Sequence, residues 1–129
     1  MELKEYTENA LVTESADLNI IKNRLTDTTT VRLLHAALGM HTESAEFADA
    51  LKKNIFYGKP LDTVNLAEEI GDLLWYVAIA SDALAIPLEK ILENNIAKLR
   101  KRYGEKFTEK SANTRDLEAE RAILDKLIK

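Results

Sequence analysis

The sequence has no cysteine, and it contains only two prolines and four glycines in 129 residues. The lack of cysteine excludes disulfide bonds and thiolate metal sites. The scarcity of residues that break helices favours long helices. No apolar run approaches the ~18 residues of a membrane-spanning helix, and the acidic, polar start of the chain is not typical of a signal peptide. We therefore expect a cytoplasmic protein with no membrane partner.

An excess of positive charge is also missing. The formal net charge is −4, whereas a general nucleic-acid binder needs a basic face to neutralise phosphates. We therefore expect no nucleic-acid partner. Residues 98–106 do form a local basic patch, but such a patch is more often a solvated helix face. The chain length predicts a single domain over residues 1–129, small enough to gain stability from association.

Strand signals are absent, because there is no sustained alternation and no Asn-Gly or Asp-Gly hairpin. Apolar residues recur at helical spacing instead. They predict helices over residues 2–12, 31–57, 62–85, 87–103 and 114–128, with a short helical or irregular piece near 18–25. The expected fold is all-α, an antiparallel bundle of four to five helices with short connections.

Two acidic pairs lie inside the two longest and most apolar of these helices. Glu43 and Glu46 form one pair, and Glu69 and Asp72 form the other. Residues at i and i+3 share one helix face, so each pair presents two carboxylates one turn apart. In a chain with 22 acidic residues, one such pair alone more often consists of solvent-exposed residues without a specific role.

The connection between the two helices, at Gly58-Lys59-Pro60, is short enough to make them antiparallel neighbours. Four carboxylates pressed together would raise their own pKa values and destabilise the bundle. A divalent cation removes this conflict, and a set of hard oxygen ligands suits Mg²⁺ or Mn²⁺. We therefore expect the four acids to be the metal ligands and the catalytic residues.

A di-iron site of the ferritin type is the obvious rival for a carboxylate cage in a helical bundle. Such sites need Glu-x-x-His on their helices, whereas the i+3 positions here are Glu46 and Asp72. His35 lies two turns before Glu43, where a packed or solvent-exposed histidine is the commoner case. An oxygen-only ligand set therefore indicates chemistry without redox change.

The order of an ExxE motif, 22 intervening residues and an ExxD motif resembles the MazG-like all-α nucleoside triphosphate pyrophosphohydrolases. The likeness extends to residues 34–40, 68–74 and 95–103, and covers about 31–107. It implies hydrolysis of a nucleoside triphosphate to the monophosphate and pyrophosphate, often to remove noncanonical or excess nucleotides. It also implies that the four acids bind Mg²⁺, and that the protein is a homodimer or a dimer of dimers.

The resemblance assigns further residues to the substrate. It implies that Asn95, Lys98 and Arg102 hold phosphate oxygens, with Lys53 a weaker candidate for the same role. The aromatic residues Trp75 and Tyr76 are candidates for stacking on the nucleobase, although aromatics at helical spacing are more often core. Some relatives carry an acid where this chain has Ser44, so the general base is unassigned.

Two alternatives are open at this point. The same cage serves a related pyrophosphohydrolase acting on another nucleotide, such as phosphoribosyl-ATP. The chain also fits a non-enzymatic helical association module whose acidic residues are solvated.

Overall fold

The structure, a computed structural model, describes residues 1–15 and 17–128. Over these residues the chain is all-α, with seven α-helices, a final 3-10 turn and no strand. The helices are α1 (Leu3–Val12), α2 (Leu18–Arg24), α3 (Thr28–Tyr57), α4 (Thr63–Ala83), α5 (Leu88–Tyr103), α6 (Glu109–Asn113) and α7 (Leu117–Leu124). The predicted fold class is confirmed, but the helix count exceeds the expected four to five.

Two helices lie outside the five predicted ones: α2, on the piece near 18–25 that was expected to be helical or irregular, and α6, which precedes the predicted terminal helix. The helix predicted over 114–128 is present as α7 and a closing 3-10 turn, and it starts three residues later than predicted. Helix α6 ends before residue 114, and α7 starts afresh because the Asp116 carboxylate accepts a hydrogen bond from the backbone N–H of Ala119 at 3.0 Å. The last turn, Asp125–Ile128, is a 3-10 helix. A capping aspartate starts a new helix at a position that apolar periodicity alone does not mark.

Two side-chain caps fix where the motif-bearing helices begin. Helix α3 starts three residues earlier than predicted, because Asp27 accepts a hydrogen bond from the backbone N–H of Thr30 at 2.7 Å. This bond holds the pKa of Asp27 below its ordinary value. Asp62 caps α4, accepting hydrogen bonds from the backbone N–H groups of Val64 at 3.1 Å and Asn65 at 3.0 Å. Gly58, with φ +64°, ends α3 in the left-handed conformation that glycine tolerates.

The chain divides into two units, Met1–Val31 and Arg32–Lys129. The first unit holds α1, α2 and the start of α3, and neither α1 nor α2 contains a buried residue. The prediction of a single domain over 1–129 stays a prediction.

In the second unit, α3 and α4 run antiparallel. Arg32, near the start of α3, pairs with Asp82, near the end of α4, at 2.6 Å. Helix α7 packs against α5. Within the described part of the chain, Ala36 on α3 is the sole apolar residue that is buried. Most of the apolar surface of these helices is therefore only partly covered.

A sharp corner joins α4 to α5, whose axes are bent by 99°. The Ser81 hydroxyl donates to the backbone carbonyl of Ile86 at 2.6 Å across this corner. No single helix in the described ranges has the length and apolar character needed to cross a membrane. The bent α4–α5 pair passes that test jointly, by length and composition alone.

Candidate metal centre

Three acidic side chains meet between α3 and α4. One carboxylate oxygen from each of Glu43, Glu69 and Asp72 lies within 4.8 Å of the others. Glu69 is only 6% exposed, Glu43 is half-buried, and Asp72 is exposed. The group therefore has a closed side at Glu69 and an open side at Asp72, as a site that takes a ligand from solvent requires.

Helices α3 and α4 approach each other closely at Gly39, next to this cluster. The Tyr76 ring lies against this glycine, and a Cβ added there would overlap the ring. Gly39 comes one turn before Glu43, and Tyr76 comes one turn after Asp72. A side chain as small as glycine at this crossing is thus what lets α3 and α4 bring their carboxylates together.

The electrostatics of the cluster favour a cation. Burial raises the pKa of Glu43, and the negative charges of Glu46, Asp72 and Glu69 raise it further. A hydrogen bond from the Thr42 hydroxyl, at 3.2 Å, opposes this rise in pKa. The ionised cluster therefore carries an electrostatic penalty that a divalent cation would remove. The donor set, carboxylate oxygens alone, fits Mg²⁺ or Mn²⁺.

Glu46, the fourth predicted ligand, is exposed and lies outside the 4.8 Å group. It instead lines a neighbouring cleft of about 270 Å³ together with Glu69, Lys53, Lys59 and Asn65. This cleft opens beside the α3–α4 connection. The structure thus gathers three of the four predicted ligands and places the fourth at the rim of an adjoining cavity.

Lys53, the weaker phosphate candidate, lies on that rim. Its ammonium group is 2.6 Å from Asp49, which also pairs with Lys52 at 2.5 Å. Hydrogen bonds from both lysines lower the pKa of Asp49 to about 2. Lys53 is therefore held close to Glu46 and Glu69 by a carboxylate on its own helix.

The α5 candidates lie elsewhere. Asn95 is exposed and Lys98 is half-buried, and neither lines the cleft beside Glu69. Arg102 donates to both oxygens of Glu120 on α7 at 2.9 and 2.6 Å, which raises the pKa of Arg102. Its predicted phosphate contact thus competes with a carboxylate of the same chain.

The two aromatic candidates form a group with His35. Ring centroids are 4.8 Å apart for Trp75 and Tyr76, 5.6 Å for His35 and Tyr76, and 6.4 Å for His35 and Trp75, all edge to face. Tyr76 fills the helix crossing at Gly39, whereas Trp75 is 57% exposed. Stacking of either ring on a nucleobase stays a prediction.

Sequence reasoning did not single out Asn65. Its side-chain Nδ2 donates to Oε1 of Glu69 at 2.7 Å, one helical turn along α4. The i, i+4 spacing of an asparagine and a motif glutamate was the available signal. Glu120 was also missed, because 18 residues separate it from Arg102.

A model of the MazG nucleotide pyrophosphohydrolase domain matches residues 32–107, more than half of the chain. The chain belongs to the MazG family. The matched segment of this MazG protein contains the three clustered carboxylates and ends before α6. Membership supports nucleotide pyrophosphohydrolase activity in general and, with the cluster, dependence on a divalent metal. Searches of curated proteins and of solved structures gave no match.

Proposed function

We propose that this MazG protein hydrolyses nucleoside triphosphates to the monophosphate and pyrophosphate, using Mg²⁺ or Mn²⁺. The observation that carries the proposal is the convergence of Glu43, Glu69 and Asp72 within 4.8 Å, inside the segment that matches the family. The biological role that we propose is removal of noncanonical or excess nucleotides from the nucleotide pool.

Glu43, Glu69 and Asp72 would hold the ion, and Glu46 would join them from the adjoining cleft. A bound divalent ion neutralises charge on the phosphate chain and lowers the pKa of a water molecule. The protein contributes a fixed arrangement of carboxylates and, at Glu69, a site shielded from bulk water. We propose that Glu46, which is exposed and lines that cleft, also orients the attacking water.

Positive side chains would position the phosphate chain. Lys53 borders the cleft that Glu46 and Glu69 line, and Lys98 supplies a further point charge from α5. We propose Asn95 as a hydrogen-bonding partner on the same helix and Trp75 with Tyr76 as the base-facing group. The pairing of Arg102 with Glu120 supports a structural role for Arg102, so we do not propose it as a main phosphate-binding residue.

We also propose that the protein works as a homodimer or a dimer of dimers. Leu38 on α3 is 60% exposed, and Ile70 and Leu74 on α4 are 52% and 53% exposed. Apolar surface of this kind beside a site is typical of a protein interface. A second copy would cover it and would bring an additional α5, with its Asn95 and Lys98, toward the cluster.

Product analysis tests the proposal. Purified protein is incubated with Mg²⁺ and a panel of canonical and modified nucleoside triphosphates, with phosphoribosyl-ATP included, and products are identified by phosphorus NMR. We expect pyrophosphate and a monophosphate from at least one nucleoside triphosphate. Turnover of phosphoribosyl-ATP alone would identify the related pyrophosphohydrolase instead.

A matched pair of variants connects the activity to the site. Glu69→Gln removes the buried charge and should abolish Mg²⁺-dependent pyrophosphate release while the helical circular dichroism persists. Glu93→Gln makes the same chemical change at an exposed position of α5 and should retain activity. If Glu69→Gln changed neither activity nor metal affinity, the protein would be an association module with solvated acids.

A further inference from the structure

We propose that Asn65 is a positioning residue that fixes the carboxylate of Glu69 for metal binding. This inference rests on the proposed function, because it assigns Glu69 to the metal. The main observation behind it is the 2.7 Å hydrogen bond from Nδ2 of Asn65 to Oε1 of Glu69. An ionised carboxylate only accepts hydrogen bonds, so the NH₂ side of the amide must face it.

Glu69 needs such a partner more than the other clustered acids do. It is 6% exposed, so water has little access to its oxygens. Over the described residues, Asn65 is the one side chain that donates a hydrogen bond to it. A buried carboxylate that lost this donor would pay a desolvation penalty or rotate away from its observed orientation. The amide therefore both satisfies and orients the ligand.

Asn65 is itself fixed by the start of α4. Its backbone N–H donates to the capping carboxylate of Asp62 at 3.0 Å, in the first turn of the helix. Asn54, near the end of α3, makes a separate contact, because its Nδ2 donates to the backbone carbonyl of Lys59 at 2.7 Å. Two hydrogen bonds of Asn65 thus lead from the Asp62 cap to the Glu69 carboxylate, and Asn54 takes part in neither.

The other two acids of the cluster lack this support. Glu43 accepts a longer hydrogen bond, 3.2 Å, from the hydroxyl of its exposed neighbour Thr42. Asp72 is exposed, and no side chain in the described ranges donates a hydrogen bond to its carboxylate. Glu69 is therefore the ligand whose orientation is set before an ion arrives, and Asn65 sets it. Partners that orient a ligand in this way typically change metal affinity by about 10–100-fold when they are removed.

The test measures Mn²⁺ binding directly, by electron paramagnetic resonance of the free ion, in the full chain without nucleotide. We expect Asn65→Leu, which removes the donor at similar size, to raise the Kd for Mn²⁺ by about 10-fold or more. Asn65→Gln, which keeps an amide, should recover part of the affinity. Urea unfolding of each variant separates an effect on metal affinity from a loss of folding.

Asn54→Leu is the matched control, because it removes an asparagine amide from the end of α3 that bonds to Lys59 and to no acid of the cluster. It should lower stability yet leave the Kd within about twofold of wild type, as expected for a residue that orients no ligand. If Asn65→Leu fails to fold, Asn65→Ser supplies the same measurement. If wild type binds Mn²⁺ and a folded Asn65 variant binds it with the same Kd, the role of Asn65 alone is overturned. A wild-type protein that binds no Mn²⁺ would overturn both this role and the proposed metal site.

Discussion

Arg102 donates hydrogen bonds from Nε and Nη2 to the two oxygens of Glu120, at 2.9 and 2.6 Å. Arg115 donates to the same carboxylate from Nη2 at 2.8 Å, and Glu120 is 3% exposed. The bonds join α5, within the segment that matches the family, to α7, which lies beyond it. Two guanidinium groups thus share one buried carboxylate, and hydrogen bonds between charged groups are stronger than those between neutral ones.

The first prediction concerns acid stability. Hydrogen bonds from Arg102 and Arg115 lower the pKa of Glu120 from 4.5 to about 2. Because the folded-state pKa is depressed, the ionised carboxylate stabilises the fold above pH 4.5, and this contribution is lost as the pH falls toward 2. Glu120→Gln should therefore lower the free energy of unfolding at neutral pH. The difference from wild type should shrink in acid.

Urea unfolding at several pH values from neutral to acidic measures this difference. Glu118→Gln, an exposed position on the same helix, is the matched control and should follow wild type. A Glu120→Gln deficit that stayed constant down to the lowest pH would contradict the ionic origin of the contribution.

The second prediction concerns the helix crossing. Gly39→Ala should lower the free energy of unfolding by about 1–3 kcal/mol, because the added Cβ overlaps the Tyr76 ring. This cost exceeds the gain of about 0.5–1 kcal/mol that alanine brings to a helix interior. Gly71→Ala is the matched control: nothing lies within 4 Å of its added Cβ, so only the gain should appear. Chemical denaturation of both variants gives the comparison, and equal shifts would refute the packing argument.

The third prediction separates substrate from metal. Lys98→Ala should raise KM for the nucleotide by about 10–100-fold, the loss expected for one hydrogen bond to a charged group. The Kd for Mn²⁺ should stay unchanged, because the clustered carboxylates lie on α3 and α4. Lys101→Ala, exposed on the same helix, serves as the control. Parallel titrations of nucleotide and Mn²⁺ measure the two constants, and an equal loss in both would contradict the division of roles.

The fourth prediction concerns assembly. A carboxylate introduced at Leu38 or Leu74 would be buried without a partner if these residues lie in an interface. Leu38→Glu and Leu74→Glu should therefore shift the protein from a dimer or tetramer to a monomer in light scattering after size-exclusion chromatography. Lys90→Glu adds the same group at an exposed position of α5 and should leave the assembly intact. A monomeric wild type would refute the proposed assembly.

The parts of the site that sequence could predict are those set within one helix. Glu69 and Asp72 fall on one face because of their i, i+3 spacing, which requires no tertiary information. Which α3 glutamate reaches them depends on the rotation of α3 against α4. That rotation is fixed by the packing of Tyr76 on Gly39, a contact between residues distant in sequence. The structure consequently places Glu43 in the cluster and Glu46 beside it.

The C-terminal segment shows the same limit. Apolar spacing predicts a helix from residue 114, but the Asp116 cap sets its start at Leu117, because a side-chain hydrogen bond fixes the first turn. The pairing of Arg102 with Glu120 depends on how α7 packs against α5, which helical periodicity does not encode. The fold class followed from pattern alone, whereas the partners of individual charges did not.

Trp75 is the only tryptophan in the sequence, and its ring lies 4.8 Å from Tyr76 and 6.4 Å from His35. Because Tyr76 packs at the α3–α4 crossing, the Trp75 indole lies next to the helix contact that supports the carboxylates. Its intrinsic fluorescence is thus a built-in optical signal for this hairpin. Ion or nucleotide titrations can be followed by emission, without attaching a dye to the chain.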